Sequence, residues 1–171
     1  SNSISKTTFK SQLDKLNREN KIKVFVTNPP FMGKRDMDTS LKNYLLANYP
    51  ESKGDLCVSF IQRTIQLMND KDVLGVVSQN NWMYLSSLKD FRIFFLAKQT
   101  LKECIDLGSN AFEDINGEKT NVALCVIGNS AIKTTRFYNL KFKNIAEKRS
   151  FVTHKNISAE LTFELNQNQF L

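Results

Sequence analysis

Two prolines in succession, Pro29 and Pro30, close the apolar run Ile22-Lys23-Val24-Phe25-Val26-Thr27 and its following Asn28. They fix φ twice and remove two backbone donors, so a strand arriving through Thr27 cannot continue as a ladder. Pro29 also holds Asn28 extended. A strand therefore has to stop at Asn28 and present a carboxamide, a rigid turn and the ring of Phe31 at its end. Further short apolar runs follow at Val73 to Val77, Leu101 to Leu107, Val122 to Ile127 and Thr135 to Leu140. Segments with helical spacing lie before and between them. Residues 7 to 19 carry Phe9, Leu13 and Leu16, and Leu41 to Ala47 is a short helix with Thr39 or Ser40 as its cap. Ser52 and Asp55 stand at capping-box spacing ahead of the stripe Leu56, Phe60, Ile61, Thr64, Ile65 and Met68. Ser87 and Asp90 repeat that spacing, and a helix to about Lys98 turns Leu88, Phe91, Phe94 and Phe95 inward. The alternation predicts an α/β fold, with helices on the faces of a mostly parallel sheet. Val73 to Val77, apolar throughout, is expected to be buried on both faces.

Ligands of such sheets bind outside the carboxyl ends of the strands. Asn28 follows one strand and Ser78-Gln79-Asn80-Asn81-Trp82 follows the next, so both clusters are expected on one rim. The residue types suit chemistry on an amino group attached to a flat ring. Such an amine is conjugated, and it must become more tetrahedral before it can attack. Two acceptors aimed at its hydrogens favour that geometry. The Asn28 side-chain oxygen and the Pro29 carbonyl can supply them, and Phe31 offers a face for a base taken out of its duplex. Asn-Pro-Pro can also be turn punctuation alone, and Gln79 to Trp82 a capped loop over the core.

The chain of 171 residues, 41% of them hydrophobic, can bury one core. Ser1-Asn2 reads as an expression-tag remnant, and no run approaches the ~20 apolar residues of a membrane span. The net charge of +7 suits a polyanionic partner, and it is equally the signature of surface lysines. Lys34, Arg35, Lys42 and Lys53 stand near the proposed site, where they can meet phosphates or face solvent. Cys57, Cys104 and Cys125 lack metal-ligand spacing and read as reduced core thiols of a cytoplasmic protein. His154, the one histidine, has no partner cluster, so no metal site is expected.

Taken in order, Asn28-Pro29-Pro30-Phe31-Met32-Gly33, Asp55-Leu56 with Phe60-Ile61, and Ser78-Gln79-Asn80-Asn81-Trp82-Met83 with Leu85-Ser86-Ser87 resemble the amino-group DNA methyltransferases. The likeness is to the large adenine-N6 enzymes of BREX or phage-growth-limitation defence and to fused restriction-methylation proteins. It covers about residues 20 to 130. It implies a partial Rossmann-like S-adenosylmethionine-dependent fold with a late antiparallel strand, and double-stranded DNA as partner, with other defence subunits as further partners. It also implies that Asn28 and the Pro29 carbonyl hold the target amine, with Pro30 shaping the turn. Phe31 and Phe112 would then stack on the flipped adenine, while Gln79, Asn80, Asn81, Trp82, Lys34 and Arg35 contact substrate. Phe112 can also be read as a loop anchor. Lys23 departs from the family, which often carries an acidic residue there.

The resemblance further implies S-adenosylmethionine as cofactor, bound by a glycine-rich turn and an acidic residue after earlier strands. The six glycines form no Gly-x-Gly, and fewer than thirty residues precede Asn28. The expectation is therefore a fragment, inactive alone: the target-amine half over residues 3 to 130, and an edge hairpin leading toward a specificity domain over 131 to 171. An exposed half-domain face would invite self-association. Methylation of RNA or of a protein glutamine, and a non-catalytic nucleic-acid-binding module, remain open readings at this point.

Overall fold

The computed structural model describes residues 6–19, 21–109, 111, 120–154 and 162–167. The helices are α1 (Lys6–Arg18), α2 (Thr39–Asn48), α3 (Leu56–Leu67), α4 (Lys89–Lys98) and α5 (Ile145–His154). The strands are β1 (Val24–Thr27), β2 (Val73–Gln79), β3 (Thr100–Gly108), β4 (Val122–Gly128), β5 (Thr134–Asn139) and β6 (Thr162–Asn166), in one sheet of order β1-β2-β4-β3-β5-β6. β1 is parallel to β2, β3 is parallel to β5, and β4 runs antiparallel to both β2 and β3. Hence β1, β2, β3 and β5 share one direction, with β4 and β6 opposed. This is the mostly parallel sheet that the alternation predicts, with the late antiparallel strand that the resemblance implies.

The register places four carboxyl ends on one rim: Thr27, Gln79, Gly108 and Asn139. One face of the sheet is closed by α3 and α4, where Val58, Ile61, Ile65, Phe91 and Phe95 pack on Leu74, Val76, Cys104, Cys125 and Ile127. The other is covered in part, by Phe151 of α5 and by Phe31, which join Val77, Leu107, Val122 and Leu140. Uneven cover corrects the expectation for β2. Leu74, Val76 and Ser78 are buried, but Val73, Gly75 and Val77 are only half-buried, because the second face stays bare toward β1. At that edge Val24 and Val26 are 70% and 83% exposed.

Several ends form differently from the sequence reading. The cap of α2 is Asp38, whose carboxylate accepts from the Leu41 N–H at 2.8 Å, so neither Thr39 nor Ser40 caps it. Asp55 itself caps α3, accepting from the Val58 N–H, whereas Ser52 is a buried member of a side-chain network. There its hydroxyl donates to the Gln62 carbonyl and lies 3.1 Å from the Ser59 hydroxyl, and the Gln62 amide donates to Glu51 at 2.6 Å. α4 starts from a 3-10 turn, Ser86–Leu88, with no side-chain cap. α5 lies where the sequence loses periodicity. Its start is a capping box: the Glu147 N–H donates to Asn144 Oδ1 at 2.9 Å, and the Asn144 N–H donates to the Glu147 carboxylate at 3.0 Å.

Lys23 has a structural role at the opposite end of β1. Its ammonium meets the Asp72 carboxylate at 2.7 Å, and its backbone N–H donates to the other Asp72 oxygen at 2.8 Å. Asp72 also accepts from the Asn69 N–H at 2.6 Å, and the Lys23 ammonium reaches Asn17 of α1 at 2.6 Å. One buried pair thereby ties α1 to the entrances of β1 and β2. Among the described residues no helix is long and apolar enough to cross a membrane.

Candidate functional site

Asn28 is exposed at the carboxyl end of β1, and its carboxamide has no hydrogen-bond partner among the described residues. Pro29 beneath it is buried, Pro30 is exposed, and Phe31 is half-buried against the cluster on the second face. The chain after Phe31 is held in place. The Leu56 N–H donates to the Met32 carbonyl and the Lys34 N–H to the Gly54 carbonyl, both at 2.9 Å, around an antiparallel bridge between Gly33 and Asp55. The prolines and this bridge fix the turn from both sides, which leaves the Asn28 amide exposed at the rim.

The bridge also brings the start of α3 to the end of β2. Burial raises the pKa of the Asp55 carboxyl, against the opposing pull of the Val58 and Cys57 N–H groups and the Asn81 amide. Asn81 donates to Gln79 Oε1 at 2.8 Å, and its own Oδ1 is buried without a partner. Burial, reinforced by the nearby Asp55 charge, pushes the Cys57 thiol up to about 12, against the Gln79 N–H. That thiol is inert at neutral pH.

Asn80 is the hub of a second cluster. Its side-chain amide donates to both oxygens of Asp106, at 3.2 and 3.3 Å, and its Oδ1 accepts from the Tyr84 hydroxyl at 3.2 Å. Asp106 also accepts from the Gly108 N–H at 2.9 Å. Gly108 has φ +62°, and an added Cβ would stand 2.6 Å from Lys141 Cγ. A glycine is needed there on both counts. Lys148 of α5 reaches the Ser109 carbonyl at 2.9 Å, and burial lowers its pKa against the pull of Asp106.

The rim thus gathers Asn28, Pro29, Pro30, Phe31, Gln79, Asn80 and Asn81, with Lys34 and Arg35 exposed beside the turn. It does not gather Trp82. That indole is 3% exposed, donates to Ser78 Oγ at 3.1 Å, and packs edge-on to Phe91 and Phe95 at 5.8 and 5.5 Å between centroids. Trp82 belongs to the core under α4, because the 3-10 turn Asn80–Met83 carries its side chain back over β2. Asn80 is likewise buried and acts through Asp106 rather than facing solvent. Phe112 lies outside the described residues; its neighbour Ala111 packs in the same cluster as Phe31. The sequence reading missed Asp106, Tyr84 and Lys148, although Asp106-x-Gly108 at a strand end was a readable turn signal. Among the described residues no group of His, Cys, Asp or Glu could hold a metal ion.

A mostly parallel sheet with an Asn-Pro-Pro-Phe turn at one carboxyl end fits the resemblance to the amino-group methyltransferases. The chain belongs to the Eco57I restriction-modification methylase family, whose model matches residues 1–112. It is 34% identical over 105 residues to the adenine-specific methyltransferase BrxX of Escherichia coli O9:H4 (strain HS), and 34% identical over 104 residues to PglX of Lacticaseibacillus casei (strain Zhang). In both comparisons the match takes in 61% of this chain and 9% of the relative's length. Among solved structures it is similar to the DrdV–DNA complex, with TM-score 0.63 and 15% identity, over 93% of this chain and 19% of that one.

Proposed function

We propose that the chain supplies the target-amine half of a site-specific DNA adenine-N6 methyltransferase of restriction-modification or phage defence, acting in the cytoplasm. The observation that carries this reading is the exposed, unpartnered Asn28 carboxamide on a turn fixed by two prolines and the Gly33–Asp55 bridge. A rigid acceptor pair costs no reorganisation when charge develops on a reacting amine. Asn28 Oδ1 and the Pro29 carbonyl accept the two amino hydrogens, drawing the nitrogen out of conjugation with the ring. Phe31 supports the base from one side, and Phe112 is the proposed second wall. Gln79 and Asn81 line the neighbouring rim, while Lys34 and Arg35 meet phosphates.

The described residues do not by themselves fit S-adenosylmethionine. There is no Gly-x-Gly turn, Asp55 caps α3, and Asp106 is committed to Asn80 and Gly108. The cofactor's methyl group would come from a complementary half, and the bare β1 edge with Val24 and Val26 is where that half would pair. Residues 3 to 130 would then be the target-amine half, and 131 to 171 a connection toward a specificity domain.

The test is methyl transfer from labelled S-adenosylmethionine to unmethylated DNA by the intact gene product carrying these residues. Asn28→Ala should abolish label incorporation while leaving DNA affinity within a few-fold. Undiminished incorporation in that variant would sink the proposed role.

A further inference from the structure

Phe142 is 90% exposed, the most exposed large apolar side chain among the described residues. A lone exposed phenylalanine on a loose loop would signify little. Phe142 instead stands at the tip of a tight turn that is braced on every side. The Leu140 N–H donates to the Asp106 carbonyl at 2.8 Å, the Lys143 N–H to the Leu140 carbonyl at 3.0 Å, and the Lys141 N–H to Asn139 Oδ1 at 3.2 Å. Leu140 is buried, the α5 capping box begins at Asn144, and Lys141 seats against Gly108, where no Cβ intrudes. The turn follows β5, so it occupies the same rim as Asn28. Lysines flank the ring on both sides, with the Lys141 ammonium 6.0 Å from its centroid.

We propose that Phe142 is a base-step wedge for the duplex substrate, its ring entering between stacked bases while Lys141 meets an adjoining phosphate; the Lys143 ammonium is held by Glu147 at 3.2 Å. The inference rests on the reading of the rim as a DNA-modifying site. Four inter-strand spacings of about 4.8 Å separate β1 from β5, so the wedge sits roughly 19 Å along the rim from Asn28. That is about five or six base steps at 3.4 Å each. An apolar wedge partly unstacks one step and kinks the duplex there, and the Lys141 cation holds the adjoining backbone. Charge complementarity favours DNA as the occupant, given the Lys141 ammonium beside the ring and a net charge of +7.

The experiment uses the intact gene product and a 40-base-pair unmethylated duplex of mixed sequence. In Phe142→Trp, difference emission against the native protein isolates the new indole. It should be open to acrylamide in the free protein, then quenched and shielded when the duplex is added. Phe142→Ala should weaken duplex binding about tenfold at an unchanged salt slope, as expected for a lost stacking contact. Lys141→Ala should lower the salt slope by about one. An indole that stays open on saturated DNA overturns the wedge. So does one already shielded before DNA is added, which assigns the turn to a protein contact. Label transfer by the native protein, with Phe142→Ala binding and methylating normally, sinks the wedge alone. A native protein that neither methylates nor binds DNA sinks the functional reading along with it.

Discussion

Replacing Asp72 by asparagine should be among the most destabilising single changes in this chain, although it keeps the shape of the side chain. The Lys23 and Asp72 side chains are 7% and 1% exposed, and the carboxylate takes three donors within 2.8 Å: the Lys23 ammonium, the Lys23 N–H and the Asn69 N–H. An asparagine keeps one acceptor oxygen and turns an amide toward the other donors, so the ammonium loses its counter-charge and a backbone N–H loses its acceptor. Breaking a buried pair from one side costs about 3–5 kcal/mol, because the remaining charge stays desolvated. We expect about 4 kcal/mol. With a urea m-value of about 2 kcal/mol/M, the unfolding midpoint drops by ~2 M. Lys23→Met is the informative contrast. It removes the ammonium but keeps the apolar stem, and it leaves Asp72 with two backbone donors, so its cost should be about 1–2 kcal/mol. The double variant should show a coupling of about 2 kcal/mol. Urea unfolding of the 171-residue chain, followed through its single tryptophan, the buried Trp82, measures all three. A loss under ~1 kcal/mol for Asp72→Asn, or equal losses for Asp72→Asn and Lys23→Met, would contradict a buried carboxylate that holds the ammonium and both backbone donors.

The same carboxylate sets a pH dependence. Burial works to raise the Asp72 pKa, but the Asn69 and Lys23 donors and the Lys23 charge outweigh it and hold the value below the usual carboxylate range. A depressed folded pKa gives stability that is present above the unfolded value of about 3.9 and lost as pH falls through the folded one. Acid titration of the unfolding midpoint should therefore show a loss below about pH 4 that Asp72→Asn flattens. Asp55 acts in the opposite sense: its raised pKa adds stability below about pH 3.9 that fades as pH rises through the folded value, and Asp55→Asn should remove that limb. Gly108→Ala should cost about 2 kcal/mol or more, since it combines φ +62° with a Cβ 3.0 Å from the Lys141 backbone; urea unfolding would show this, and a neutral result would contradict the turn geometry. Cys57, with its thiol pushed up to about 12, should resist alkylation at pH 8 until the chain unfolds, as would be read by mass spectrometry.

How far the sequence could be read depended on whether a signal was local. The end of β1 was legible because two prolines forbid a longer strand, and α3 and α4 because their apolar stripes are long. The α/β class followed from the alternation of those stripes with short apolar runs. The caps were harder. Asp38, Thr39 and Ser40 are all good N-cap residues, and only the backbone geometry selects Asp38. α5 was hidden because its ten residues carry little apolar periodicity and lean on Phe151 packing across the sheet to Tyr138. At the site, Asn28 and Gln79 were readable from their places at strand ends. Trp82 was not, since whether an indole faces a rim or a core depends on a 3-10 turn that residue types do not announce. Asp106-x-Gly108 was readable as a turn, but the pairing of Asp106 with Asn80 and of Lys148 with Ser109 was not, because those partners lie 26 and 39 residues away in sequence.

The proposed function requires this rim to hold an adenine amino group. Nucleoside mass spectrometry of DNA incubated with S-adenosylmethionine and the intact gene product tests it most directly. N6-methyldeoxyadenosine is expected with the native protein and absent with Asn28→Ala. Methyl groups found only in RNA or on protein glutamine, or none on any DNA with the protein folded and cofactor bound, would contradict it.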